Sequence, residues 1–217
     1  MKALFLLQLR LEIRKRSVVI SLFLYLVCLV FINYLTLGSQ NVASVPGVWS
    51  ALFWMAILST VVNAIAKSFM VEKSSTGIYL YSLADPAEII ISKIIYGFFL
   101  CVGVCCAGFL FFTALLNNPI QDAPLFFLTL VLASFGFSAS LSILSAIASK
   151  TNNGSIVMAI LSFPVIIGIL LMAIKVTKNC IDGLDRSASV DELLTLGAIN
   201  LLVAAVSYLL FPYIWRS

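Results

Sequence analysis

The chain has 217 residues, of which 62% are hydrophobic and 10% charged, and it contains no histidine. A soluble domain averages roughly 45–50% apolar and about 25% charged residues, so these ions are too few to cover a water-facing surface. Thirteen Lys+Arg against nine Asp+Glu leave +4, too mild for a nucleic-acid binder, and the missing histidine excludes His-ligated metal or haem and Ser-His-Asp or Cys-His nucleophiles within this chain.

Residues 2–16 open the chain as a short amphipathic segment. Leu4, Leu7 and Leu11 fall on one face at helical spacing, while Arg10, Glu12, Arg14 and Arg16 supply charge. Glu12 precedes Arg16 by four, the favourable order for a helical ion pair. Such a helix lies in the membrane interface, either as a topology anchor or as a lever carrying force to the first span.

Spanning a ~30 Å hydrocarbon core takes about 20 apolar residues in a helix. Six stretches qualify: 17–37, 48–66, 94–116, 124–149, 154–174 and 193–213. The first is too long for a signal-peptide core and has no A-x-A-like site close behind it. The fold class is therefore all-α integral membrane, one transmembrane domain over 1–217. Between the second and third spans lies the largest polar connection, 67–92, which also carries Tyr79, Tyr81 and several aliphatics. Apolar groups of this kind facing water need a cover, either headgroups or a partner protein. Asp85-Pro86-Ala87-Glu88 reads as N-cap, N1 proline and N3 glutamate, which starts the third helix in water.

Cys101 and Cys105 lie one turn apart in the third span and, with Cys28 and Cys106, read as small hydrophobes; there is no CxxC. The fourth span carries Ser134, Ser138, Ser142, Ser145 and Ser149 at spacings of four, four, three and four. This continuous small-polar ridge suits either close helix packing or a polar groove. Asn152-Asn153-Gly154 is turn chemistry that makes spans four and five an antiparallel pair. Pro164 frees the carbonyl of Ile160 and kinks span five. Residues 175–192 hold four acidic and three basic side chains and form either a short outer helix or a solvated loop, the loop being favoured, closed by a Ser189–Glu192 capping box.

Orientation follows from Lys and Arg. With the N-terminus inside, the inner side holds Lys2, Arg10, Arg14, Lys15, Arg16, Lys67, Lys73, Lys93, Lys150 and Arg216, and the outer side Lys175, Lys178 and Arg186. Both termini are then cytoplasmic. Within the spans only Asn33, Asn63 and Asn200 are strong hydrogen-bonding side chains. Carboxylates for an ion-driven antiporter are missing there, as are acid–base groups for an intramembrane enzyme. No G-x-x-x-x-G-K-[ST] occurs, so ATP is not bound by a P-loop of this chain. A transporter so built borrows its energy from a partner.

The order of elements resembles type-2 ABC exporter permeases and, in its motifs, the haem exporter protein B family, CcmB. Those motifs are Pro46-Gly47-Val48-Trp49; Phe69 through Gly77 to Leu83 with Asp85-Pro86 and Lys93; Asn118-Pro119-Ile120-Gln121-Asp122; Ser145 through Lys150; Leu161-Ser162-Phe163-Pro164-Val165-Ile166; and Leu210-Phe211-Pro212-Tyr213-Ile214-Trp215-Arg216. The resemblance implies a permease subunit of cytochrome c maturation in the bacterial inner membrane, without a catalytic site or bound cofactor of its own. ATP would be bound by a CcmA-like ATPase subunit, and haem by neighbouring CcmC-like and CcmD-like membrane subunits that supply a periplasmic haem chaperone. A permease homodimer is also implied. On this reading Glu72, Gly77, Tyr79, Leu83 and Asp85 dock the ATPase, with Arg10, Glu12 and Arg14 in the interfacial helix. The rivals are an ABC-2 permease for a lipid or drug and a non-transporting membrane scaffold.

Overall fold

A computed structural model describes residues 16–37, 45–72, 86–116, 118–151 and 154–216. Among them are no strands, only helices: α1 (Arg16–Leu37), α2 (Pro46–Glu72), α3 (Pro86–Leu116), α4 (Ala123–Ser149), α5 (Gly154–Asp182) and α6 (Val190–Arg216), with a 3-10 turn at Arg186–Ser189 before α6. In lipid every backbone N–H and C=O must be satisfied within the segment, which makes helices the only open-chain solution. Five helical stretches are long and apolar enough to cross: Pro46–Ile65, Glu88–Leu116, Ala123–Ser149, Ile156–Asp182 and Arg186–Tyr213. The described apolar part of α1, Ile20–Leu35, is shorter. The chain is an all-α membrane protein with five to six such helices.

Side-chain contacts fix the sense of packing. Trp49 meets Phe112 at 5.6 Å, Ile57 fills the notch at Gly108 and Ile65 approaches Gly97, so α2 and α3 run antiparallel. Phe109 against Phe126 at 5.1 Å and Ser138 against Ile94 set α3 and α4 antiparallel. α4 and α5 turn back on each other through Lys150 and Thr151, whose amides donate to Ile147 and Ala148 carbonyls. The turn is tight: a Cβ on Gly154 would strike the Ala148 carbonyl. α4 is the axis of the bundle. It packs on α2, α3, α5 and α6, and 72% of its spanning window is buried, against 22–29% for α3, α5 and α6. The outer helices turn large apolar side chains outward, among them Phe99, Leu110, Ile160, Phe163, Leu201 and Leu209, as lipid contact requires.

Three features differ from the sequence reading. α5 does not end near residue 174 but continues to Asp182, so 175–182 is helix rather than loop. Val176, Thr177, Cys180 and Ile181 are buried there, which gives the helix a reason to continue past the lipid. Gly183, at φ +66°, then reverses the chain, a left-handed conformation that glycine adopts without steric cost. The Ser189–Glu192 capping box is replaced: Ser189 Oγ accepts from Asn179 Nδ2 at 2.9 Å, and Glu192 Oε2 lies buried without a hydrogen-bond partner. The connection expected at 67–92 is helical as far as Glu72. The start of α3 at Pro86, with Glu88 in its first turn, is as the N1 proline led one to expect.

α1 also takes a distinct position. A parallel alignment with α3 from their first turns would set Phe23 level with Lys93. Instead Phe23 meets Phe111 edge-on at 5.4 Å and Leu26 packs at Gly108. The early turns of α1 therefore lie beside the last third of α3. Gly108 opens the notch that Leu26 shares with Ile57, and Leu26 and Val30 are buried as a result.

Candidate functional site

The docking residues proposed from sequence fall on the α2–α3 connection. Glu72 is the last residue of α2, whereas Gly77, Tyr79, Leu83 and Asp85 lie outside the described residues, as do Arg10, Glu12 and Arg14. The antiparallel α2–α3 pair nonetheless fixes where the connection emerges. Both helices end beyond their apolar windows, α2 past Ile65 and α3 before Glu88, at the end of the bundle shared with Lys150.

The serine ridge faces into the protein. Ser134, Ser138, Ser142 and Ser145 are buried and Ser149 half-buried. Ser138 Oγ donates to the Ile94 carbonyl across the α3–α4 seam at 2.6 Å. Ser134 Oγ lies 3.5 Å from Cys105 Sγ. Ser145 and Ser149 return their protons to Ser142 and Ala146 carbonyls of α4 itself. Gly97 stands opposite Ser138, and a Cβ there would sit 2.5 Å from its Oγ. The ridge thus brings the two backbones together. Pro164 is exposed on α5.

Polar ties that sequence reasoning did not pair hold the other helices. Trp54 Nε1 donates to Thr177 Oγ1 at 2.9 Å, joining α2 to α5, and Thr177 passes its own proton to Ala173 O. Asn200 Nδ2 donates to Leu132 O at 2.8 Å, joining α6 to α4. Around Trp54 an aromatic cluster fills the half of the bundle nearest Asp122. Phe53 is its hub, with Trp49 stacked on it at 5.4 Å and Trp54, Phe112 and Phe126 around it at 5.4–5.7 Å.

At that same end the two connections are fastened together. Asp122 N-caps α4, accepting from Leu125 N at 3.4 Å. Arg186 grips its carboxylate with two bonds, Nε to Oδ2 at 2.7 Å and Nη2 to Oδ1 at 3.0 Å. The Gln121 and Asp122 amides both donate to Cys180 O, and the Gln121 side chain packs where a Cβ on Gly183 would be. Asp122 is the acidic residue of one connection and Arg186 the basic residue of the other, and that is the sequence signal that could have paired them.

This clamp carries a pH signature. The hydrogen bond from Arg186 lowers the Asp122 carboxyl below its ordinary value, with burial opposing and the Leu125 amide and the guanidinium charge adding to the lowering. A carboxyl lowered in the folded state contributes stability above its unfolded pKa of about 3.9 and loses it as pH falls through the folded value. The melting temperature of the wild type should therefore exceed that of Arg186→Ala at pH 7, and the gap should close below about pH 4. A gap that is constant with pH would remove the clamp from the stability balance.

Among the described residues no three Cys, Asp or Glu side chains gather as a metal site. What the described polar groups do is tie helix to helix. The arrangement makes walls, with its charged segments at the two ends. Compared with known proteins, residues 1–212 match the family model described as "CcmB protein". No curated protein and no solved structure matches the chain.

Proposed function

The chain belongs to the CcmB family, ABC-transporter permeases of cytochrome c maturation, and from that premise we propose that it couples ATP hydrolysis by a separate ATPase subunit to movement of its helices. It is a multi-pass membrane protein of that transport system. In the proposed assembly it sits in the bacterial inner membrane with the α2–α3 connection and the C-terminus cytoplasmic, as Lys67, Lys73, Lys93, Lys150 and Arg216 favour. It carries no catalytic centre; a CcmA-like subunit binds ATP. Neighbouring CcmC-like and CcmD-like subunits hold haem and pass it to a periplasmic chaperone, which suits a chain without histidine. Two copies of the permease pair in the complex.

The observation that carries this reading is the placement of the α2–α3 connection. The antiparallel pair delivers Glu72 and Pro86 to one end, past the apolar windows. In this proposal the segment between them, which carries Gly77, Tyr79, Leu83 and Asp85, receives the cytoplasmic ATPase, with Tyr79 and Leu83 as its apolar anchors. Arg10, Glu12 and Arg14, read from the sequence as an interfacial helix, complete the proposal as the segment that steadies the first helix.

The test replaces both anchors with charge, Tyr79→Asp together with Leu83→Asp, and co-purifies the ATPase. Loss of one anchoring residue costs about 2 kcal/mol, or roughly 30-fold in affinity, so recovery of the ATPase should collapse while the permease still reaches the membrane. Unchanged recovery with unchanged ATP hydrolysis overturns the assignment.

A further inference from the structure

Asn200 lies mid-way along α6, only 3% exposed, at a depth where lipid supplies no water. Its Nδ2 holds the Leu132 carbonyl of α4. Its Oδ1 is buried with no conventional donor. A Cβ built on Gly136 would fall on that oxygen. The Cα–H bond occupying that direction in glycine therefore points at Oδ1, the weak hydrogen bond that recurs where helices touch. Leu132 and Gly136 are one turn apart, so the amide lies along the α4 backbone and engages both ends of that turn.

Towards the Asp122 end, α6 is further secured by the Arg186–Asp122 pair and by Asn179 on Ser189. Towards the Lys150 end the seam changes character. Ala139, Ile143 and Ala146 of α4 and Ile89, Ile90 and Ile94 of α3 cluster with Val203 and Phe211 of α6, and Ser207 gives its proton to Val203 O of its own helix. Pro212 lies inside α6 and removes the backbone bond that would end on Tyr208. Past Asn200 the contact is one of apolar packing, and in lipid such packing has little hydrophobic drive.

We infer that Asn200 is the positioning residue that pins α6 to α4 and holds the C-terminal half of α6 against the axis; released from Asn200, that half leans away at the Lys150 end while the Asp122 end stays fixed. This holds whichever partner drives the motion, so it does not depend on the docking proposal.

The experiment places spin labels at Lys150 and Tyr213, the latter 78% exposed, in the full chain in nanodiscs after replacing Cys28 and Cys106 with Ser. From Asn200 to Tyr213 the helix is a lever of about 20 Å, so a swing of roughly 15° moves the label by about 5 Å. Wild type should give one narrow distance. Asn200→Ala should add a longer component by about that amount. The double variant Gly136→Ala/Asn200→Ala refills the vacated space with a methyl; it should recover thermal stability yet keep the longer component. A wild-type distribution in Asn200→Ala, or in the double variant, overturns the inference by showing that packing alone sets the position. If Asn200→Ala does not fold, the double variant decides.

Discussion

Phe53→Ala should destabilise the protein by about 3–5 kcal/mol, whereas Phe163→Ala should change stability by no more than about 0.5 kcal/mol. The two residues have the same chemistry in neighbouring helices, and in water both losses would include a transfer term. In a bilayer the separated helices are already in hydrocarbon, so burying an apolar ring gains little from leaving solvent. What remains is packing. Phe53 is fully buried, and the roughly 100 Å³ lost to alanine leaves a void costing about 2.4 kcal/mol at ~24 cal/mol per Å³. Its four ring contacts, with Trp49, Trp54, Phe112 and Phe126, add about 0.5 kcal/mol each at the low end for such pairs. Phe163 is 66% exposed, and a lipid chain takes the place of its ring. Denaturation in mixed micelles reads the difference. Equal losses for the two variants would mean that the aromatic cluster does not hold α2, α3 and α4 together. Phe53→Leu, which refills most of the volume, should fall below about 1.5 kcal/mol.

The same physics explains which parts of the structure could be read from the sequence. The helices could, because an apolar run of spanning length has no other way to satisfy its backbone; the fourth span was expected at 124–149 and is found at Ala123–Ser149. Their ends were harder to read where a helix outlasts the lipid. Hydropathy stops at Lys175, but the helix continues because Thr177 receives the Trp54 indole and Cys180 offers its carbonyl to the next connection. Neither partner is visible within 20 residues of sequence. Inward faces were legible only where polarity marked them. The serine ridge announced its own period, and Asn200 stood out as a hydrogen-bonding group inside a span. Gly136, its counterpart, gave no signal, since glycine matters there through a side chain it lacks. The displacement of α1 was equally hidden, because its faces are apolar all round and only the notch at Gly108 selects one. The candidate docking residues rest on composition and on where the helices deliver them.

Gly97→Val should cost about 2–5 kcal/mol, the sum of two effects at one point of the α3–α4 seam. A Cβ at Gly97 meets Ser138 Oγ at 2.5 Å and approaches Ile65 Cδ1 at 3.8 Å, so valine overpacks the crossing, at about 1–3 kcal/mol. Separating the helices also stretches the 2.6 Å bond from Ser138 to Ile94 O, worth about 0.6–2 kcal/mol between membrane helices. The control is Gly103→Val on the same helix. Nothing stands within 4 Å of a Cβ there, so valine meets lipid and stability should move by less than about 0.5 kcal/mol. A double-mutant cycle separates the two costs. Ser138→Ala alone loses the bond, but it also removes the atom with which a Cβ at Gly97 collides. Gly97→Ala should therefore be better tolerated with Ser138→Ala than with serine present, giving a coupling of about 1 kcal/mol. Additive behaviour, or a Gly97→Val variant as stable as Gly103→Val, would show that α3 and α4 are not held at this distance by the ridge. A seam this close admits no solute between α3 and α4 at that level. The serine hydroxyls serve contact there, and any passage through the protein runs along a different face of α4.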